Sequence, residues 1–196
     1  MRMSCAMKIF IPLVLTLVFA IAPAQSSLPN AGELDLSKCT EVIRFYLQDQ
    51  FNGSNPTTAI VLPPRNNETL FGQVAIFYDK LTTESSINSK LVGRAKGFLV
   101  IDSLGKSSFL QIMMELEGRK GTIVLHGQNP FTESQREIAV VGGTGEFRNV
   151  QGYALTSTTG AEPGGLIAIY EVHLVRLWKC IWKCFNMKLI FYYFIL

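Results

Sequence analysis

The chain has 196 residues, 48% of them apolar and 17% charged, with a net charge of +3. That length supports one sizeable core rather than two comfortable domains. Its Lys and Arg are scattered and nearly matched by Asp and Glu, so no basic stripe of the kind that binds nucleic acid is present.

Arg2 and Lys8 precede an apolar run over 9–21, and Ala22-Pro23-Ala24 follows it. The order basic, apolar, small-x-small predicts a secretory signal peptide over 1–24, with Gln25 opening the mature chain. The run is about 13 residues, short of the roughly 20 that span a bilayer. The expectation is therefore a secreted protein with no membrane anchor. Residues 25–40 are polar and contain Pro and Gly, and are expected to be a flexible lead-in to a domain over 41–178.

Past that lead-in the apolar period is two almost everywhere. Ile43, Phe45 and Leu47 alternate with Arg44, Tyr46 and Gln48; Leu110, Ile112, Met114 and Leu116 alternate with Phe109, Gln111, Met113 and Glu115. Such alternation marks strands with one buried face. Eight runs are predicted: 41–51, 70–80, 91–102, 107–117, 121–128, 136–142, 146–157 and 166–177. Most connections are two to five residues, too short for parallel crossovers. The fold class is all-β, a sandwich or an eight-stranded antiparallel β-barrel, and an eight-stranded barrel has room for side chains or one small ligand. The loop 52–69 holds two sequons, at Asn52 and Asn67, and a short edge strand is expected near 58–62. Both asparagines are candidate glycosylation sites.

Gly93, Ala95 and Gly97 share one face of the third run, where small residues leave space for a ligand, for a close-packed neighbour, or for a bend. Gly142-Gly143-Thr144-Gly145 lacks the Lys and the helix of a phosphate loop and is read as a turn needing positive φ. Cys39 precedes the first strand, and Cys180 and Cys184 follow the last. In a barrel those strands are neighbours, so a disulfide from Cys39 to Cys180 or Cys184 is expected in an oxidising compartment. Residues 179–196 form an apolar tail that does not fit a closed domain and is read as a gene model running past the natural end.

No serine-nucleophile elbow, zinc-protease helix or P-loop is present, and His126 and His173 stand in separate strands. No cofactor or metal is expected. The chemistry-bearing candidates come from parity. Asp49 shares the apolar face with Ile43, Phe45 and Leu47, and Arg136 shares one with Ile138 and Val140. An inward acid has a raised pKa and an inward Arg needs an anion, so the two suit one cavity.

At these residues the sequence resembles the plant dirigent family. The carrying segments are Phe45-Tyr46-Leu47-Gln48-Asp49, Lys90-Leu91-Val92-Gly93-Arg94-Ala95-Lys96-Gly97, and the run from Arg136 through Gly142-Gly143-Thr144-Gly145-Glu146-Phe147 to Gly152-Tyr153-Ala154. The resemblance implies an eight-stranded barrel that assembles as a homo-oligomer, a trimer ahead of a dimer, in the apoplast. It implies an auxiliary protein that orients phenoxy radicals during coupling, the radicals being made by a laccase or peroxidase. Some relatives instead dehydrate a phenolic alcohol through a quinone methide, and a plain binder of cell-wall phenolics is a third expectation. Asp49 and Arg136 match the family's cavity acid and arginine, and Phe45, Leu99 and Asn129 are the candidate substrate contacts. Asn129 stands where lignan-forming members carry a second acid, Gln48 where they carry histidine, and Leu99 where an aromatic is usual. These departures point towards the broader dirigent-like group.

Overall fold

The computed structural model describes residues 39–162 and 164–176. The expected signal peptide, the lead-in to residue 38, Cys180, Cys184 and the tail lie outside the described residues. Nine strands form: β1 (Thr40–Gln50), β2 (Thr58–Leu62), β3 (Val74–Thr82), β4 (Leu91–Ile101), β5 (Ser108–Leu116), β6 (Thr122–Asn129), β7 (Arg136–Gly143), β8 (Gln151–Glu162) and β9 (Gly165–Val175). They pair in the order β1-β9-β8-β7-β6-β5-β4-β3-β2, and β1 also pairs with β3. That extra pairing closes eight strands into an antiparallel barrel and leaves β2 as the short edge strand outside the ring. All pairings are antiparallel, as the short connections require.

The two seams of β1 differ. Against β9 it pairs along its whole length, from Thr40–Val175 to Gln50–Gly165. Against β3 it pairs only through Tyr46–Thr82, Leu47–Leu81 and Gln48–Lys80. Beyond Gln48 the strands part and Thr57 enters the gap: its amide donates to the Gln50 carbonyl at 2.9 Å, and its carbonyl accepts from the Tyr78 amide at 2.8 Å. β2 then continues along the first half of β3.

The alternation read in the sequence is the inside–outside pattern of the barrel. Phe45, Leu47, Phe77, Leu81, Leu110, Ile112, Met114, Ile123, Leu125, Ile138 and Val140 are buried in one core. Burying such side chains contributes about 1.5–3 kcal/mol each relative to leaving them in water. The expected run 146–157 is divided differently. Gly145–Phe147 is a 3-10 turn that drops Phe147, fully buried, into the core, and the strand starts only at Gln151. Positive φ at Gly145 (56°) and Asn149 (59°) makes that turn, which period-two counting cannot register. The backbone of Arg176 donates to the Cys39 carbonyl at 2.8 Å, so the two ends of the domain meet. Cys39 is buried and disulfide-bonded, with its partner sulfur outside the described residues.

The small-residue face of β4 resolves towards close packing. A methyl on Gly97 would overlap the Gln111 carbonyl and come within 2.8 Å of the Phe77 ring, so the space is occupied by Phe77 and by the backbone of β5. Gly97→Ala is expected to destabilise the barrel by roughly 3 kcal/mol, which thermal unfolding would show as a Tm lower by roughly 10 °C. An unchanged Tm would mean that β4 and β5 part freely there.

Candidate functional site

One cavity opens inside the barrel, about 80 Å³ in free volume. Its apolar wall includes Leu47, Phe77, Leu99, Leu110, Ile112 and Leu166. Its polar groups are Asp49, Asp79, Asn129, Arg136 and Tyr170. Five different strands therefore deliver ionisable or amide groups to one point: β1, β3, β6, β7 and β9. A larger hollow of about 600 Å³ outside the barrel is lined by Val141, Gly142, Gly143, Asn149, Val150, Gln151 and Val175 and offers no titratable side chain. Size therefore does not identify the site here; chemistry does. The interior volume is below the roughly 300–1,000 Å³ of ordinary ligand pockets, so a ligand must displace side chains to enter. Asp49 and Leu166 line both this cavity and an outer groove of about 560 Å³ formed with Gln48, Gln50 and residues 85–88. They are the partition between inside and outside.

Strand parity placed Asp49 and Arg136 in the interior, and both line the cavity. Burial pushes the Asp49 carboxyl above its ordinary range, and a hydrogen bond from the Thr58 hydroxyl, 2.5 Å to Oδ1, acts the other way. Arg136 is 6% exposed; its Nη2 donates to Thr158 Oγ1 at 3.1 Å, while its Nε has no partner. Asn129 and Leu99 also line the cavity. The Asn129 amide nitrogen donates to Ser108 Oγ at 3.5 Å and its Oδ1 has no partner. Phe45 shares the inward face one layer deeper, stacked on Tyr170 with ring centroids 5.7 Å apart. Asn52 and Asn67 are exposed in the loops on either side of β2. His126 faces outward, edge-on to Phe109. Gln48 also faces out of the barrel, yet it is buried. Its amide donates to Thr82 Oγ1 at 3.0 Å and to the Ser85 carbonyl at 3.0 Å, fastening the loop after β3 to β1.

The residue that parity counting passed over is Asp79. It is 1% exposed, and its Oδ1 has no hydrogen-bond partner. Desolvation, then the nearby Asp49 carboxylate, pushes its pKa up to about 8, against a hydrogen bond from the Thr57 side chain. The signal was present in the sequence: Asp79 has the parity of Ala75, Phe77 and Leu81, all buried. Tyr170, also buried, is pushed up to about 12, mainly by burial, so it is a neutral phenol.

Three buried polar atoms of residues lining the cavity thus lack partners: Asp79 Oδ1, Asn129 Oδ1 and Arg136 Nε. An unsatisfied buried polar atom costs about 1–3 kcal/mol, so this concentration marks a place shaped for something polar to arrive. The arrangement can bind an oxygen-bearing aromatic between apolar walls, donate hydrogen bonds from Arg136, and supply or take a proton at two carboxyls. Among the described residues there is no group of three His, Cys, Asp or Glu side chains that could hold a metal ion.

Comparison with known proteins follows the same line. Residues 40–175 match the family of dirigent-like proteins. The chain is 32% identical to dirigent protein 21 of Arabidopsis thaliana over 188 residues, covering 87% of this chain and 98% of that protein. It is 35% identical to dirigent protein 7 of the same plant over 120 residues, covering 59% of this chain and 64%, just under two thirds, of that relative. Among solved structures it is similar to a pterocarpan synthase dirigent protein, with a TM-score of 0.65 and 29% identity, covering 70% of this chain and 95% of that one. By sequence and by fold, the chain belongs to the dirigent-like protein family.

Proposed function

We propose that this chain binds phenoxy radicals derived from small phenolic alcohols inside the barrel and directs the stereochemistry of their coupling. In this reading the radicals come from a separate laccase or peroxidase, as the family resemblance implies. The observation that carries this reading is the set of unpartnered polar atoms on residues that share one cavity with apolar walls. A phenolic satisfies both halves of it: its ring replaces apolar contacts, and its oxygens take up the free valences of Arg136 and Asn129. Leu99 and Phe45 shape and support the wall, and Asp49 is the acid nearest the mouth. The same proposal places the protein in the apoplast after removal of residues 1–24, glycosylated at Asn52 and Asn67, bridged from Cys39 to Cys180, and assembled with copies of itself.

A second reading has its own support. Two carboxyls held towards protonation suit a dehydratase that works without an oxidant, and the similar solved structure is named a pterocarpan synthase. One assay separates the two. Coniferyl alcohol is incubated with and without laccase, and an isoflavanol without it, with enantiomeric excess and turnover measured. Enantiomeric excess only in the presence of laccase is the expected result. Turnover without oxidant would replace it with the lyase reading, and saturable binding with neither effect would leave a plain phenolic binder.

A further inference from the structure

The register between β1 and β3 pairs Leu47 with Leu81 and Gln48 with Lys80. The next inward residue of β1 is Asp49 and that of β3 is Asp79; they lie where the pairing ends and the strands part around Thr57. Both carboxyls face the cavity. Each is attended by a threonine of the incoming segment: Thr58 donates to Asp49, and the Thr57 side chain stands near Asp79 and eases its desolvation. One oxygen of Asp79 is left without a partner inside the barrel, and across the cavity the 6%-exposed Arg136 has an unpartnered Nε. The titratable groups facing the pair are Arg136 from β7 and Tyr170 from β9. The flanking strand β4 offers Ala95 and Gly97 beside Asp79, and its charged Arg94 and Lys96 have the opposite, outward parity. Among the described residues no cation is bonded to either acid.

We infer that Asp49 and Asp79 hold one proton between them at neutral pH and present it through the free oxygen of Asp79, as a hydrogen-bond donor to the oxygen of a bound phenolic. Two desolvated carboxylates that face each other cannot both ionise cheaply, and such pairs retain a shared proton. Of the two, Asp79 is the deeper, and burial together with the Asp49 charge holds its carboxyl in the acid form to about pH 8. Asp49, partly exposed at the partition and bonded by Thr58, carries the charge. A phenolic oxygen arriving at Asp79 then meets a neutral acid rather than a repelling anion, while Arg136 approaches from the other side. This inference rests on the phenolic reading for its ligand but not for its proton.

Infrared spectroscopy of the folded protein with isotope-labelled aspartate tests the proton directly. The wild-type protein is expected to show a protonated carboxyl at pH 7 that ionises near pH 8. Asp79→Asn should abolish that signal, and Asp49→Asn should move its ionisation down by about one pH unit or more. Absence of a protonated carboxyl in the wild type at pH 7, or its persistence in Asp79→Asn, overturns the inference. Coniferyl alcohol binding tests the donor role. Wild-type affinity should fall about tenfold per pH unit above the ionisation, whereas Asp79→Asn, whose amide still donates but cannot ionise, should bind with little pH dependence. A wild-type affinity that ignores pH through this range overturns the donor role. No binding at any pH, with the infrared titration as expected, removes the phenolic reading and leaves the shared proton in place.

Discussion

Asp79→Asn should make the protein more stable at pH 7–9, not less. The Asp79 carboxyl is protonated in the fold up to about pH 8, whereas its ordinary value is 3.8. Below pH 3.8 both the folded and unfolded chains carry the proton, and the group contributes no pH dependence. Between 3.8 and about 8 the unfolded chain releases it and the folded chain retains it, so the folded state binds more protons and stability declines as pH rises. Above about 8 both are ionised and the loss is complete. At 1.36 kcal/mol per unit the ceiling is about 6 kcal/mol, and a gain of a few kcal/mol is expected in the amide variant. Thermal unfolding at pH 5, 7 and 9 would show it as a Tm raised by roughly 10 °C at the alkaline end, with a flatter dependence on pH throughout. Equal Tm values for the two proteins at pH 9 would contradict the burial assigned to this carboxyl.

Arg136→Met should have the largest effect on recognition. The guanidinium belongs to a buried residue that lines the cavity; it has one partner in Thr158, and its Nε has none. A hydrogen bond from a charged donor contributes about 1.5–3 kcal/mol, so coniferyl alcohol should bind roughly 10- to 100-fold more weakly. Enantiomeric excess in the laccase-coupled assay should approach zero. Met matches much of the lost volume and only the Thr158 bond disappears, so circular dichroism should be unchanged. Arg136→Lys should not restore selectivity, since it retains charge but cannot present two donors in a fixed plane. Wild-type affinity in Arg136→Met would remove Arg136 from the binding machinery.

Much of this site could be read from alternation alone. Asp49 stands at the end of a clean Ile43-Phe45-Leu47 series, and Arg136 begins the Ile138-Val140 series, so their inward direction follows from period two. Asp79 escaped because its neighbours blur the pattern. Tyr78 is aromatic yet half exposed, and a run reading Phe77-Tyr78-Asp79-Lys80 does not look like a wall with one polar member. What sequence could not supply was the pairing of β1 with β3. Parity assigns a face, whereas bringing Asp49 and Asp79 to one cavity needs the register and the closure of the ring. The start of β8 was misplaced for a related reason: a turn made by positive φ at Gly145 and Asn149 leaves no mark on a hydrophobic period. The space expected beside Gly93, Ala95 and Gly97 depended on what lay across from it, and the Phe77 ring lies there.

The unequal seams of β1 bear on how the chain reaches this state. Its long partner, β9, is the last strand in sequence, and its short partner, β3, offers only three residue pairs. During synthesis the first strand of the barrel emerges well before the strand that will satisfy most of its backbone. Long-range pairings of this kind form late, because the loop they close must be ordered first. Until then Phe45 and Leu47 sit on an unpaired edge of the sort that recruits the wrong neighbour. Folding to the closed ring therefore waits on the C-terminal end of the domain, and truncation there would leave a sheet with an open margin rather than a smaller barrel.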